Sequence, residues 1–415
     1  LAFDGLAAKV DVPDDPAFAA ALAAAAADWP FRRIAPEGPP LAAVTRVADG
    51  HYALQRGGER TEGMSSVSAV CSLVVGLANT LVAETPGRLC LHGAAVAVAG
   101  RLVIFPGRRR AGKSTLVARL AMDGHVVFGD DIVPLDAHGR ALALGVAPRL
   151  RLPLPASASP AFRDFVARHT GATDGRYHYL ALPEGRLARR GTAAPLGAII
   201  LLDRHPQGPA RLHEAPRSLA LKLLARQNVS YADDARPLLT QMSAIVQGLP
   251  CYVLAYADLE EVTALLAAAF ADWPAQPPLS PLDDPAALAE RLLEDGGSDE
   301  EEIEEHEEED AADWPEMPAP IYRAGMRLVR NPDIVLHEVE GEAFIAGVDE
   351  TAAINHLNPV ALGIWNLLAQ PTEEAEAACV LAEAFPETGP QAIARDVSAL
   401  FADLYESGFA VEAAP

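Results

Sequence analysis

The sequence has few cysteines, and they form no metal-ligand cluster. Its 415 residues include four, Cys71, Cys90, Cys251 and Cys379, and none belongs to a CxxC pair. Cysteines this far apart predict neither a zinc site nor a disulfide framework. The start of the chain also lacks the pattern of a secretory signal peptide. We therefore expect a reduced, cytoplasmic protein.

Basic residues are also scarce. Lysine and arginine together number 33 against 57 aspartates and glutamates, which gives a net charge of −24. Twelve of the acids lie between Glu294 and Asp310, yet the rest of the chain still has more acids than bases. Because an acidic surface repels the phosphate backbone, we do not expect nucleic acid as a partner.

Charge is missing altogether from Met64 to Ala83, a run long enough to raise the question of a membrane span. Polar residues such as Ser65, Ser72 and Asn79 interrupt the run, and it has no aromatic belt. These features favour a buried core helix over a membrane span, and we expect no membrane association.

The strongest motif lies between residues 102 and 115. The apolar run Leu102–Phe105 predicts a buried strand, and the following GRRRAGKS matches the phosphate-binding loop GxxxxGK[ST]. Apolar residues at helical spacing follow the loop, so the phosphates would meet a helix N-terminus. The motif predicts ATP and Mg²⁺ as cofactors, with the lysine at the β- and γ-phosphates and the serine hydroxyl on the metal. The predicted nucleotide-binding residues are Gly107, Arg108, Arg109, Arg110, Ala111, Gly112, Lys113, Ser114 and Thr115.

Carboxylates follow two of the predicted strands. Asp130 and Asp131 come after the short strand Val126–Phe128, and Asp203 ends the apolar strand Ala198–Leu202. The pair could be an ordinary turn, but its distance from the loop favours a functional role. Asp203 has the position of a Walker B aspartate, so it could hold the Mg²⁺ instead of Asp131.

The second half of the chain is divided from the first by composition. Residues 273–318 are rich in proline and then in acids, which predicts a disordered, extended linker with one short helix candidate, Leu288–Leu293. Residues 319–415 then predict three short strands and three helices, which we interpret as a small winged helix-turn-helix. The basic residues after Ile321 are four arginines, too few for DNA binding. We divide the remainder into a lead-in region, 1–88, and a P-loop domain, 89–272.

The P-loop half resembles the HPr kinase/phosphorylase family, specifically its shorter relatives, over roughly residues 89–265. The resemblance rests on His92-Gly93, the loop from Gly107 to Ser114, and Asp130-Asp131. It implies an α/β fold of the HPr kinase/PEP carboxykinase type. It also implies that Asp130, His92 and Lys113 are catalytic, with Asp130 as the base and His92 facing the transferring phosphoryl group. Ser114, Asp131 and Asp130 would hold the metal.

The second half resembles PqqD, a recognition element for ribosomal peptides that await modification. The resemblance is carried by Leu328–Asn331, the turn from Asn355 to Asn358, and the stretch from Asp396 to Phe409. In that family a leader peptide adds as an extra strand beside the third strand and against the third helix. The resemblance therefore implies a precursor peptide as partner.

Together the two halves predict an ATP-dependent kinase that phosphorylates a Ser or Thr hydroxyl of a captured precursor peptide. Two alternatives stay open. One is a kinase or nucleotidyl transferase for a small molecule, and the other is a peptide chaperone that uses nucleotide as a switch without catalysis. The sequence also leaves open whether the chain forms a homo-oligomer.

Overall fold

The computed structural model describes residues 1–35, 38–47, 50–85, 89–108, 110–230, 234–273, 275–293, 321–348, 354–387 and 389–413. The chain forms two compact units. The first comprises Leu1–Tyr231 with Ile245–Asp310, and the second comprises Ala232–Ala244 with Ala311–Pro415. The acidic run from Glu294 to Asp310, part of the predicted linker, lies outside the described residues.

The chain up to residue 293 contains seventeen described strands and eight described helices. The strands are β1 Ala2–Phe3, β2 Val10–Asp11, β3 Phe31–Arg32, β4 Ala42–Arg46, β5 Tyr52–Arg56, β6 Glu59–Met64, β7 Leu89–Val98, β8 Arg101–Pro106, β9 Val126–Gly129, β10 Ile132–Leu135, β11 Arg140–Leu142, β12 Arg149–Arg151, β13 Thr170–Thr173, β14 Tyr177–Leu180, β15 Ala193–Arg204, β16 Arg211–Glu214 and β17 Cys251–Tyr256. The helices are α1 Pro16–Ala25, α2 Ser66–Ala83, α3 Lys113–Met122, α4 Pro160–Arg168, α5 Arg217–Arg226, α6 Arg236–Gly248, α7 Leu259–Ala269 and α8 Pro285–Leu293.

A mixed sheet forms the centre of the first unit. Its strand order is β11-β10-β7-β8-β15-β17-β16, with β9 paired to β7 and β11 also paired to β15. Strand β15 runs parallel to β8 and β17, so the carboxyl ends of these three strands lie at one edge of the sheet. Eight consecutive residues of β15 are buried, as expected of a strand covered on both faces. This edge places the loop that follows β8.

Helix α3 packs on one face of this sheet. Its apolar residues Leu116, Val117 and Leu120 share a core with Phe105 of β8 and Ile200 of β15. The predicted order of strand, glycine loop and helix is therefore confirmed.

Helix α2 occupies the uncharged run. Ser65 caps it by accepting a hydrogen bond from the Ser68 N–H, and Val67, Val70 and Leu73 are among its buried residues. It is the one helix in the described ranges that is long and apolar enough to cross a membrane, and 67% of it is buried within the fold. Its packing is that of the core helix we expected.

Several elements of the first unit were not predicted. Strand β6 was missed because its sequence, ERTEGM, has no apolar alternation. Helix α4 begins after the capping residue Ser159, and only Phe162, Phe165 and Val166 are buried. The helix spans only nine residues, so its apolar spacing was overlooked.

The linker predicted over 273–318 starts too early. Helix α8 lies within that range, and its Leu288 is fully buried. Arg291 forms an ion pair with Asp203, and His213 Nδ1 lies 2.7 Å from the Pro281 carbonyl oxygen. Residues 275–293 therefore belong to the first unit, because these contacts hold the proline-rich segment against strands β15 and β16.

The chain from residue 321 contains five described strands and three described helices. The strands are β18 Leu328–Arg330, β19 Val335–Val339, β20 Glu342–Ala346, β21 Ile354–Leu357 and β22 Ala410–Glu412, and the helices are α9 Pro359–Leu367, α10 Glu374–Ala384 and α11 Pro390–Glu406. Strands β19, β20 and β21 form an antiparallel sheet, and β18 pairs with β22. We did not predict the second pair, and the winged helix-turn-helix assignment is not confirmed by this arrangement.

Local sequence explains the main turns of the second unit. Glu340 and Gly341 both have positive φ, at 53° and 80°, as a two-residue hairpin turn requires. Asn358 caps α9 by accepting a hydrogen bond from the Ala361 N–H, and Pro359 takes the first helical position, as predicted. Trp365 and Phe401 are buried in the core beneath the sheet.

Candidate active site

The glycine loop joins β8 to α3. Gly112 is the N-cap of α3 and has φ +95°, a left-handed conformation that glycine adopts without strain. Arg110 also has positive φ, at 64°, and Arg109 lies outside the described residues. The turn directs the first N–H groups of α3, including those of Ser114 and Thr115, out of the helix end. An anion at this position would be bound by those groups.

Lys113 is buried at the first position of α3. Its side chain is only 5% exposed, and its Nζ donates hydrogen bonds to the carbonyl oxygens of Gly107, at 2.7 Å, and Arg108, at 3.0 Å. The loop therefore holds the ammonium group at the anion-binding end of the helix. The predicted contact of Lys113 with the β- and γ-phosphates stays a prediction.

The aspartate pair forms the tight turn between β9 and β10. A Cβ on Gly129 would lie 2.7 Å from the Ile132 carbonyl oxygen, so the turn has no room for a larger residue. Asp131 adopts a left-handed conformation with φ 68°. Asp130 is buried, whereas the side chain of Asp131 is about one-third exposed. The turn therefore gives the two neighbouring carboxylates different environments.

Burial dominates the electrostatics of Asp130. It raises the pKa of the Asp130 carboxyl well above its ordinary value, and the negative charge of Asp131 raises it further. The Ser114 hydroxyl, the Lys113 ammonium group and the Arg149 backbone N–H act in the opposite direction. The Arg149 N–H donates to Oδ2 at 3.2 Å, and buried Oδ1 has no hydrogen-bond partner among the described residues.

His92 lies beside Asp131. Its Nε2 is 3.8 Å from Asp131 Oδ1, and its backbone N–H donates to the Gln227 carbonyl oxygen. The next N–H, of Gly93, donates to the Asp131 carbonyl oxygen at 3.2 Å. Strand β7 thus fixes the positions of both the histidine and the aspartate turn. The structure places Asp130 near Lys113 and Ser114, and it places Asp131 near His92.

Asp203 has a different environment. Its Oδ2 lies 2.9 Å from Arg291 Nη2 and 2.9 Å from His205 Nε2. A carboxylate that is already paired with a guanidinium is a poor metal ligand, because the cation would have to displace the arginine. This arrangement favours Asp131 over Asp203 in the choice that the sequence left open.

Two neighbours of the site were not recognised from sequence. The first is Arg149, at the start of β12. Its guanidinium lies 4.4 Å from the centre of the Tyr177 ring, and nearby acidic groups, Cys71 and Asp131 first, raise its pKa more than burial lowers it. Tyr256, at the end of β17, places its hydroxyl 2.9 Å from the position that a Cβ on Gly112 would take. The pairing of Arg149 with Tyr179 across β12 and β14 could not be read from separate segments.

The donor atoms suit Mg²⁺ bound together with a nucleotide. The described residues contain no cluster of three or more His, Cys, Asp or Glu that could hold an ion alone. Mg²⁺ commonly takes one or two protein oxygens and completes its shell with phosphates and water. Ser114, Asp131 and Asp130 are oxygen donors of this kind, so the residues fit.

Comparison with known proteins identifies one part of the chain. Residues 347–410 match the family model of coenzyme PQQ synthesis protein D. These residues form a PqqD domain. The PqqD domain takes in β21, all three helices from α9 to α11, and the start of β22.

A solved structure also matches part of the chain. A solved structure of the HPr(Ser) kinase/phosphatase from Coxiella burnetii matches with 11% sequence identity and a TM-score of 0.22, covering 43% of this chain and 87% of that one. No curated protein sequence matches the chain.

Proposed function

We propose that this protein transfers the γ-phosphoryl group of ATP to a Ser or Thr hydroxyl of a ribosomally made precursor peptide. The observation that carries the proposal is the buried Asp130 carboxylate beside Lys113 and Ser114 at the start of α3. Phosphoryl transfer requires neutralised charge, alignment and an acceptor for the hydroxyl proton. These three side chains have the chemistry for all three requirements.

The loop residues would bind the nucleotide. The N–H groups at the start of α3 and the Lys113 ammonium would hold the phosphates. Ser114 and Asp131, with Asp130, would hold Mg²⁺, which neutralises phosphate charge when bound. His92, 3.8 Å from Asp131, would orient that carboxylate.

Asp130 would be the base. Its raised pKa brings the carboxylate closer to the operating pH, where a general base is most effective. The acceptor hydroxyl gives its proton to Asp130, a bond forms between its oxygen and the γ-phosphorus, and the bond from that phosphorus to the ADP oxygen breaks. All groups that exchange protons in this scheme belong to the chain or to its two substrates.

The PqqD domain supports a peptide as the acceptor. In that family a leader peptide binds by adding a strand, which leaves the core of the precursor to reach another site. Capture of the leader would raise the concentration of the core near Asp130, by an amount that depends on the linker. A free amino acid has no leader to bind, so its concentration near Asp130 would not rise in this way.

Incubation with γ-labelled ATP and the precursor peptide tests the proposal. We expect label on the peptide from the native protein and none from Lys113→Ala or Asp130→Asn, while Asp130→Asn still binds nucleotide. Label on a free amino acid but not on the peptide would favour the small-molecule kinase. Tight nucleotide binding without transfer to any acceptor would favour the chaperone, and either result would refute the proposal.

A further inference from the structure

A cavity lies directly beside the aspartate turn. We call it the valine cavity. Its wall includes Cys71, Val74 and Val75 of α2, Asp130 and Asp131 of the aspartate turn, and Val146 of the segment before β12. Since the proposed base is part of its wall, whatever occupies this cavity is a neighbour of the reacting hydroxyl.

Aliphatic side chains form one part of the wall, and Asp130, Asp131, Arg149 and Tyr179 form another. In the aliphatic part Val74 is buried, whereas Val75 and Val146 are half-buried and can change size with less disturbance of the core. This part cannot hydrogen-bond to water and gains free energy when it contacts an apolar group. It therefore suits a small aliphatic group of a ligand.

The polar edge of the cavity is next to the proposed chemistry. Asp130 Oδ1 is buried and accepts no hydrogen bond from the described residues, an arrangement that costs free energy until a donor arrives. An acceptor hydroxyl is such a donor. The carbon that carries this hydroxyl would then lie between the carboxylate and the aliphatic wall.

The cavity has room for a small group. Its interior leaves about 30 Å³ for the centres of water-sized molecules. One water needs only about 10–15 Å³ of such space, so a methyl group fits inside.

We propose that the valine cavity receives the side-chain methyl of a threonine acceptor, so that the site phosphorylates threonine in preference to serine. The inference rests on the proposed function and adds the identity of the acceptor to it. The threonine Oγ loses its proton to Asp130 and forms the new bond to phosphorus, while its Cγ fills the cavity. A serine leaves the same space empty and loses that contact.

Paired precursor peptides that differ only by Ser or Thr at the modified position test the inference. We expect kcat/KM to be about tenfold higher for threonine, the selectivity typical of one methyl group in an apolar pocket. Val75→Phe, which fills the cavity, should bring the threonine-to-serine ratio of kcat/KM close to one. Val146→Leu should have the same effect and replaces Val75→Phe if that variant folds poorly. Val12→Phe is the matched control. Val12 is also half-buried and packs against the hydrophobic cluster that contains Val74, but it does not line the cavity.

Cys71 provides a second readout that needs no phosphoryl transfer. It is half-buried on the cavity wall, Cys90 and Cys251 are buried, and exposed Cys379 can be replaced by serine. In the Cys379→Ser protein, a threonine peptide should slow the reaction of Cys71 with methyl methanethiosulfonate severalfold more than a serine peptide, as followed by mass spectrometry. Equal protection by both peptides would refute the inference.

The two proposals fail in different ways. If the native protein labels neither peptide, the kinase proposal fails and threonine preference fails with it. If it labels both peptides with the same kcat/KM, or if Val75→Phe and Val146→Leu leave a threonine preference unchanged, the kinase stands and the valine cavity does not select the acceptor.

Discussion

The hydroxyl of Tyr256 lies 2.9 Å from the position that a Cβ on Gly112 would occupy. Gly112 also has φ +95°, and Tyr256 is only 2% exposed, so the phenol has little room to move away. Strand β17 thus closes one side of the turn that we propose binds phosphate. Both the close contact with Tyr256 and the positive φ therefore require glycine at position 112, the second glycine of the loop.

We predict that Gly112→Ala weakens nucleotide binding by tenfold or more, because strain and the clash with Tyr256 together displace the turn. Fluorescence titration with a labelled nucleotide measures the effect. Gly100→Ala is the control, since Gly100 has φ +80° with nothing within 4 Å of its Cβ position, and it should cost about 1–2 kcal/mol of stability while nucleotide affinity is kept. The double variant with Tyr256→Phe should recover part of the affinity. Equal binding by the two alanine variants would contradict the prediction.

A second prediction concerns stability at Asp130. Burial raises the pKa of Asp130 from 3.8 to about 8, so the folded protein binds this proton more tightly than the unfolded chain does. The stability contributed by the protonated carboxyl is fully present below pH 3.8 and is lost as pH rises toward 8. Asp130→Asn does not titrate, so it should abolish transfer and yet be more stable than the native protein near neutral pH.

Asp130→Asn should raise the free energy of unfolding by more than about 1.4 kcal/mol, the equivalent of one pKa unit. This increase should grow between pH 5 and pH 8. Thermal unfolding at a series of pH values measures it. Asp164→Asn, at an exposed position of α4, removes the same charge and should show no such trend. A stability difference that shrinks with rising pH would mean that Asp130 is not held in a desolvated site.

Local pattern was enough to predict the loop and its surroundings. The motif from Gly107 to Ser114 is continuous in sequence, and strand, loop and helix each depend on neighbouring residues, so all three were predicted. The adjacent residues Asp130 and Asp131 were found for the same reason. Their roles in catalysis and metal binding stay predictions.

Other parts of the site depend on tertiary packing. Val75 of α2 and Val146 before β12 show an apolar pattern, but that pattern does not reveal which buried group they face. The partner of Asp203 is Arg291, 88 residues later in a segment whose proline content predicted a linker. Only the folded chain shows that this aspartate is already paired.

The third prediction separates the two candidate metal carboxylates. Because Asp203 is paired with Arg291 and His205, Asp203→Asn should leave the Mg²⁺ concentration for half-maximal turnover unchanged. Asp131→Asn should raise that concentration tenfold or more, because a carboxylate ligand is lost. Arg291→Met should cost about 1 kcal/mol in stability, since Arg291 is half-exposed, without a change in Mg²⁺ dependence. The reverse pattern for the two aspartates would restore Asp203 as the metal ligand.

The last prediction uses the native protein and tests the role of the PqqD domain. A leader fragment without the core should compete with the full precursor, raising its apparent KM while kcat stays the same, because the fragment occupies the capture site and leaves the Asp130 site open. A core fragment without the leader should react with a kcat/KM about 100-fold lower, since it lacks the gain in effective concentration, and the leader fragment should not inhibit it. Steady-state labelling with γ-labelled ATP measures both effects, with a scrambled leader as the control. If the leader fragment inhibited the core reaction as strongly as the precursor reaction, capture and catalysis would share one site, and the PqqD domain would not act as a separate tether.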